Sequence, residues 1–235
     1  VQNHRLRNII PSEKFKITGM KYLMQILLGL ILLQLLQSCD YSKSRDVLWM
    51  KKNFENNAMS QVNFMSKTID DFKNFFKPDK TKSAFDPIAA LNDSLALLFS
   101  QFKNNDIELS IAALPIGAVS VHGNKNELAQ VILNIANNAK DVLVANVKHH
   151  RKINVFAGDD GDKIKISIED NGGGISDELK EKIFEPYMTT KEHGTGIGLY
   201  MSRVIVEEGF GGRLYVEDGE HGAVFVVELE RFSEN

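Results

Sequence analysis

Cysteine is nearly absent from this chain of 235 residues, with Cys39 standing alone. That excludes an intramolecular disulfide and a zinc site built on cysteines, and it favours a reducing compartment. A basic excess is absent too. Lys and Arg number 28 against 31 Asp and Glu, a net charge of −3, so nucleic-acid binding is not expected as the main activity. The apolar run Tyr22–Leu36 has 15 residues and is interrupted by Gln25, Gly29 and Gln34. It falls short of the ~20 residues of a membrane span. Internal repeats and low-complexity tracts are missing as well. What is present, 43% apolar and 25% charged residues, is ordinary for a globular chain. It excludes wholesale disorder, and the length allows one large domain or two small ones.

The chain is uneven. A polar, basic start with His4, Arg5, Arg7 and Lys14 leads into the apolar run, and Leu36-Gln37-Ser38-Cys39 follows it. That arrangement looks like a bacterial lipoprotein signal. Residues 41–77 read as one helix. Ala58, Val62, Met65, Ile69, Phe72 and Phe76 follow a four-three spacing, a heptad seam whose natural partner is another helix. Pro78 ends it, and a polar linker over 78–86 marks a domain boundary. Beyond lies a mixed pattern. Asp86-Pro87 caps a helix running to about Phe102, and Ile107–Ile111 alternates as a strand. A helix starts at Asn124 or Asn126 and carries Leu128, Val131, Ile132, Ile135, Ala139 and Val142. Ile153–Ala157 and Ile164–Ile168 form a hairpin through Gly158-Asp159-Asp160-Gly161. Gly198–Glu208 is helical, and Arg213–Glu217 and Ala223–Leu229 are the last strands.

Three clusters carry chemistry. On the helix after Asn124, Asn134 and Asn138 are four residues apart and share a face. Carboxamide oxygens are hard neutral ligands, suited to a magnesium ion that keeps several waters and its phosphate oxygens. Asparagine is a poor helix former, so three within Asn134–Asn138 need a reason. The second cluster, Asp170-Asn171-Gly172-Gly173-Gly174-Ile175, follows a strand. Its glycines let a flat ligand approach, and a buried carboxylate at Asp170 can accept a hydrogen bond from an exocyclic amine such as that of adenine. It is not a dinucleotide fingerprint, whose third glycine position is Asp177 here. The third, Gly194-Thr195-Gly196-Ile197-Gly198-Leu199, opens a helix whose free N–H groups suit phosphate oxygens. Thr195 adds a hydroxyl and Lys191 a nearby positive charge. It is not a P-loop, because Leu199-Tyr200 stands where that motif needs a lysine and a hydroxyl.

In order and spacing these clusters resemble the N, G1 and G2 boxes of the bacterial sensor histidine kinases. Ile183-Phe184-Glu185-Pro186-Tyr187-Met188-Thr189-Thr190-Lys191 resembles their F box. The likeness covers about residues 85–231. It extends more loosely to Met65–Phe72, which is similar to the second helix of the family's dimerisation domain. The resemblance implies an α+β chain: an atypical segment over 1–40, a helical dimerisation region over 41–78, and an ATP-binding domain over 85–235. That domain would be an α/β sandwich with a mixed sheet under helices, the Bergerat ATP-binding fold. It implies ATP and magnesium as cofactors, with Asn138 on the metal and Asp170 reading adenine. Phe184–Gly196 would be a mobile lid, and Gly194, Gly196 and Gly198 would wrap the phosphates. Asn134, Asp141, Gly172, Gly174, Ile175, Phe184, Lys191, Thr195 and Leu199 would complete the nucleotide site. Asp141 departs from the many relatives with a lysine there, and Lys140 is the candidate substitute. Partners would be a response-regulator receiver domain and a second copy of the chain, with no nucleic acid.

The same nucleotide fold occurs in ATPases that carry a glutamate one turn before the magnesium asparagine. Asn134 stands there and cannot accept a proton from water at neutral pH. Hydrolysis is therefore disfavoured and transfer to a protein side chain favoured. The acceptor is the difficulty. A family histidine would lie near residues 20–25, and none is there. His4-Arg5-Leu6-Arg7-Asn8 distantly resembles the family's H box and makes His4 the candidate acceptor. His193 falls in the lid, and His122, His149, His150 and His221 at loops or helix ends. Codons for Met20–Met24, read in a shifted frame, must give Glu then Ile or Val, and permit Ser-His. A frameshift that replaced the first dimerisation helix is thus one hypothesis, and a degenerate ATP-binding module without an acceptor is its consequence. A serine/threonine kinase of the related anti-sigma type is the other rival, against which the heptad helix argues. A cytoplasmic location, with membrane association through 22–36, fits a kinase better than export as a lipoprotein.

Overall fold

The computed structural model describes residues 81–115, 117–191 and 194–232, together with helical positions Lys52, Asn56, Ala58, Met59, Val62 and Ser66. The chain divides into two units, Val1–Ile69 and Asp70–Asn235. In the first, Ala58 and Val62 of the heptad seam are helical. The other seam positions, His4, the apolar run Tyr22–Leu36 and the lid's His193 lie outside the described residues. Among the described residues, no helix is long and apolar enough to cross a membrane.

The second unit is built on a five-stranded mixed sheet. Its strands are β2 (Ile107–Ala113), β4 (Arg151–Asp160), β5 (Lys163–Asp170), β6 (Arg213–Asp218) and β7 (Ala223–Glu230), in the order β2-β4-β5-β7-β6. Only β2 and β4 run parallel; the other neighbours are antiparallel. Alternation decides which face is buried. Ile153, Val155 and Ala157 of β4, Ile164, Ile166 and Ile168 of β5, and Phe225, Val227 and Leu229 of β7 all turn inward and are buried. A small second sheet pairs β1 (Ser83–Phe85) with β3 (Val121–Gly123).

Helices cover the inward face. Helix α1 spans Pro87–Asn104. Asp86 caps it by accepting the Ile88 N–H at 2.7 Å, and Pro87 stands at its first turn, where a missing N–H costs nothing. Helix α2 spans Lys125–Asn146, and the Asn124 side chain caps it by accepting from the N–H groups of Asn126 and Glu127. Ile88, Leu91, Leu95 and Leu98 of α1 meet Leu128, Ile132, Ile135 and Leu143 of α2 in one core over the sheet. A short helix α3 (Asp177–Lys180) and a 3-10 turn (Lys182–Phe184) follow β5. Helix α4 (Gly198–Val204) then runs on as a π-helical turn, Ile205–Gly209.

The structure corrects the sequence expectation in three places. The hairpin turns at Gly161-Asp162, where Gly161 has φ +74°, and Gly158 stays inside β4. The linker read over 78–86 contains strand β1 and the α1 cap. The helix read as Gly198–Glu208 is α-helical only to Val204 and reaches Gly209 as a π turn.

Candidate functional site

Strand β5 sets the floor of the site through its period of two. Ile164, Ile166 and Ile168 face the core, and the next inward position is Asp170 rather than a fourth apolar residue. The carboxylate is 4% exposed. Oδ1 accepts the Gly172 N–H at 2.8 Å, and among the described residues the carboxylate accepts no other hydrogen bond. Burial pushes its pKa up from 3.8, the Gly172 N–H pulls it back, and Glu169 beside it adds to the rise. A buried carboxylate with one oxygen still able to accept suits an amino group on a flat ligand.

The glycine loop after β5 is moulded around this group. A side chain on Gly172 would collide with Val142 of α2, so the loop lies directly on the helix. Gly173 and Gly174 have φ +111° and +73°, in the left-handed region that glycine adopts freely. The Asn146 amide donates to Gly172 O at 3.0 Å, and Asn171 clamps the start of β4 by accepting from Lys152 N and donating to His150 O. From the other side Gly222, in the turn between β6 and β7, leaves no room for a Cβ against the Asp170 backbone. Asn146 and Gly222 were not singled out from sequence, and Val142 was read only as an apolar position of the helix. The one signal for Gly222 was the Asp218-Gly219-Glu220-His221-Gly222 turn ahead of the last strand.

Helix α2 supplies the wall. Asn134, Asn138 and Asp141 fall four and three residues apart and share one face. Asn134 donates to the buried Ser202 hydroxyl of α4 at 2.9 Å. Gly198, at the start of α4, touches the same amide so closely that a Cβ would collide with it. The two asparagines therefore differ: Asn134 ties α2 to α4, and Asn138 faces the lid. Lys140, read as a substitute cation for the phosphates, is turned toward α1 instead. It donates to Gln101 Oε1 at 2.8 Å and Asn137 Oδ1 at 2.9 Å.

The segment between the 3-10 turn and α4 is clasped at its base. The Tyr187 N–H donates to Gly196 O at 2.9 Å. Both residues are left-handed, at φ +69° and +65°, and Gly196 packs against the Tyr187 and Met188 backbone with no space for a side chain. Phe184 is a core residue: its ring meets Phe225 edge-on at 6.4 Å, under the Arg203 guanidinium. Its packing ties the start of the segment expected as a lid to the core. Ile175 and Leu199 likewise pack against the core, and Thr195 is buried. Lys191 reaches across to α2, donating to Asn138 Oδ1 at 2.8 Å and Asp141 Oδ2 at 2.7 Å. Among the described residues, no group of three or more His, Cys, Asp or Glu is placed to hold a metal. The donor set at Asn138 consists of hard oxygens on one helix face, which fits a magnesium ion completing its shell with water and phosphate.

Residues 123–232 match the family of histidine kinase-, DNA gyrase B-, and HSP90-like ATPases. The two-component sensor PprA of Pseudomonas aeruginosa is 37% identical over 150 residues, covering 62% of this chain and 16% of PprA. The sensor histidine kinase ZraS of Escherichia coli K12 is 35% identical over 150 residues, covering 62% of this chain and 30% of ZraS. The chain thus spans less than a third of either relative. The nucleotide-free catalytic domain of histidine kinase ThkA superposes with a TM-score of 0.58 at 28% identity, covering 64% of this chain and 96% of that domain. Strands β4 to β7, the asparagine face of α2, the buried Asp170 and the two glycine loops all lie within the matched stretch, while β2 and α1 precede it. Residues 123–232 are accordingly similar to the ATP-binding domain of the histidine kinase-, DNA gyrase B-, and HSP90-like ATPases, and over that stretch the chain resembles the catalytic domains of bacterial sensor histidine kinases.

Proposed function

We propose that this chain binds ATP with magnesium in the cleft between α2, the Asp170 loop and the lid, and works as a protein histidine kinase core. The carrying observation is Asn134. Its amide donates to Ser202 at the position where hydrolytic relatives of the fold would hold a carboxylate. An amide there has no basicity with which to activate water. The side chains around the cleft position a γ-phosphoryl group and match its charge, and the attacking atom comes from an acceptor side chain. Asp170 reads the base, Asn138 holds the metal, and the N–H groups between Gly194 and Gly198 receive phosphate oxygens. Magnesium, when bound, neutralises charge on the phosphates. The phosphoryl group then passes to a histidine and on to an aspartate of a response-regulator receiver. The helical region before residue 78 pairs two copies of the chain, which works in the cytoplasm with membrane association through 22–36.

Incubation of the purified chain with magnesium and γ-labelled ATP tests this reading. Label on the protein that survives alkali and is lost in acid is the expected result, and His4 is then the residue to map. A second reading is favoured by the absence of any histidine at residues 20–25: the domain binds nucleotide but has lost its acceptor. Nucleotide binding without label would establish that reading in place of the first. Absence of nucleotide binding would overturn both.

A further inference from the structure

Lys191 sits where two oxygens of α2 converge. Its ammonium is 2.8 Å from Asn138 Oδ1 and 2.7 Å from Asp141 Oδ2. Asn138 and Asp141 are three residues apart, neighbours on the helix surface. A point within 2.8 Å of two hard oxygens, one of them anionic, is a cation locus whichever cation fills it. An ammonium takes oxygens at about 2.8 Å, and magnesium takes them at about 2.0–2.1 Å.

We infer that this locus has two claimants: Lys191 is a tethered counter-cation that holds it in the nucleotide-free protein, and Asp141 is a second protein donor to the divalent cation that displaces it. The inference rests on the nucleotide reading above and goes beyond it, since that reading gives the metal to Asn138 alone. The ion pair is weak enough to yield. The Lys191 and Asp141 side chains keep 39% and 45% of their exposure, and half-exposed pairs of this kind contribute little. A divalent ion carries twice the charge and brings phosphate oxygens with it. Lys140 lies 3.9 Å from Asp141 Oδ1 but is engaged with Gln101 and Asn137, so it does not replace Lys191 on the locus.

Lys191 is also the hub of the lid. Its backbone N–H donates to Thr189 Oγ1 at 3.1 Å and its carbonyl accepts from Gly194 N at 3.1 Å. Displacing its ammonium therefore acts on the segment that covers the phosphates. By linkage, whatever metal does to free the lid, the lid's lysine does in reverse to weaken metal. The freed ammonium then lies beside the glycine loop that receives phosphate oxygens.

The test uses the full chain and ADP, whose affinity is measured by calorimetry in EDTA and again in manganese. The readout is the ratio of the two affinities, with free manganese followed by electron paramagnetic resonance. Lys191→Met is expected to raise that ratio about threefold or more, because the competitor is gone. Asp141→Asn is expected to lower it about tenfold. A lysine that merely touched phosphate would weaken both affinities equally in Lys191→Met, and an unchanged ratio there would overturn the competition. An unchanged ratio in Asp141→Asn would overturn the second donor. Wild-type chain that binds no ADP even without metal would instead bring down the nucleotide reading, and this inference with it. Circular dichroism of both variants shows whether the fold is retained; their substitutions lie on the surface.

Discussion

An ionised carboxylate at the last inward position of β5 costs the fold stability. The native pKa of Asp170 is raised, chiefly by burial, so the native protein holds its proton at pH values where the unfolded chain has lost it. Stability from this group therefore falls as pH rises from the ordinary 3.8 through the raised native value, and stays reduced above it. Asp170→Asn removes that penalty while keeping an oxygen for the Gly172 N–H. The variant should be at least as stable as wild type in urea at pH 7. It should also lose the extra drop in stability that wild type shows as pH rises above the ordinary 3.8. Its nucleotide affinity should vanish, because an amide cannot supply the same acceptor charge. Retained affinity for ADP would refute the adenine assignment, whatever the stability. Asp170 was legible in the sequence because three alternating isoleucines end in a charge followed by glycines. Gly222, which presses on the same backbone, was not: nothing local distinguishes a glycine that permits a close approach from one that merely turns.

Among the elements, α2 and α4 are joined more tightly than their sequences announce. The Asn134 amide meets the Ser202 hydroxyl and fills the space above Gly198. Gly198→Ala is expected to overpack that contact, costing about 1–3 kcal/mol in urea unfolding, and to weaken ADP binding by displacing the glycine loop. Adding Asn134→Ala to the same chain should recover part of the stability. Failure to recover would place the collision elsewhere. Helix starts were readable because capping is local: Asp86-Pro87 and Asn124 announce themselves within four residues. Strand β1 was not, since three residues with an exposed pattern gain their identity only from pairing with β3 across α1. Gly158 and Gly161 competed for one turn. The structure chooses Gly161 because it takes the positive φ, while Gly158 lies beneath the Phe156 ring in an extended strand. The π turn at Ile205–Gly209 adds a residue per turn, which a 3.6-residue periodicity cannot register. Lys191 was identified as a charge near phosphate, but its bridge to Asn138 and Asp141 spans 50 residues or more of sequence.

For the whole molecule, the order in which strands are joined bears on when the site comes into being. Two residues separate β4 from β5, and four separate β6 from β7, so these hairpins can close in microseconds. The pairing of β5 with β7 cannot. It encloses residues 171–222, which hold the Asp170 loop's glycines, the lid, α4 and β6, and such non-local closure is slow. Recognition therefore waits on that long-range pairing, and a nucleotide meets an incomplete binding surface in the species that precede it. ADP should accordingly lower the unfolding limb of the kinetic chevron and leave the refolding limb where it was. A refolding rate that rises with ADP would mean that the cleft forms before the sheet is complete. On the expected outcome, nucleotide acts on this domain as a brake on its lifetime and has no part in guiding its birth.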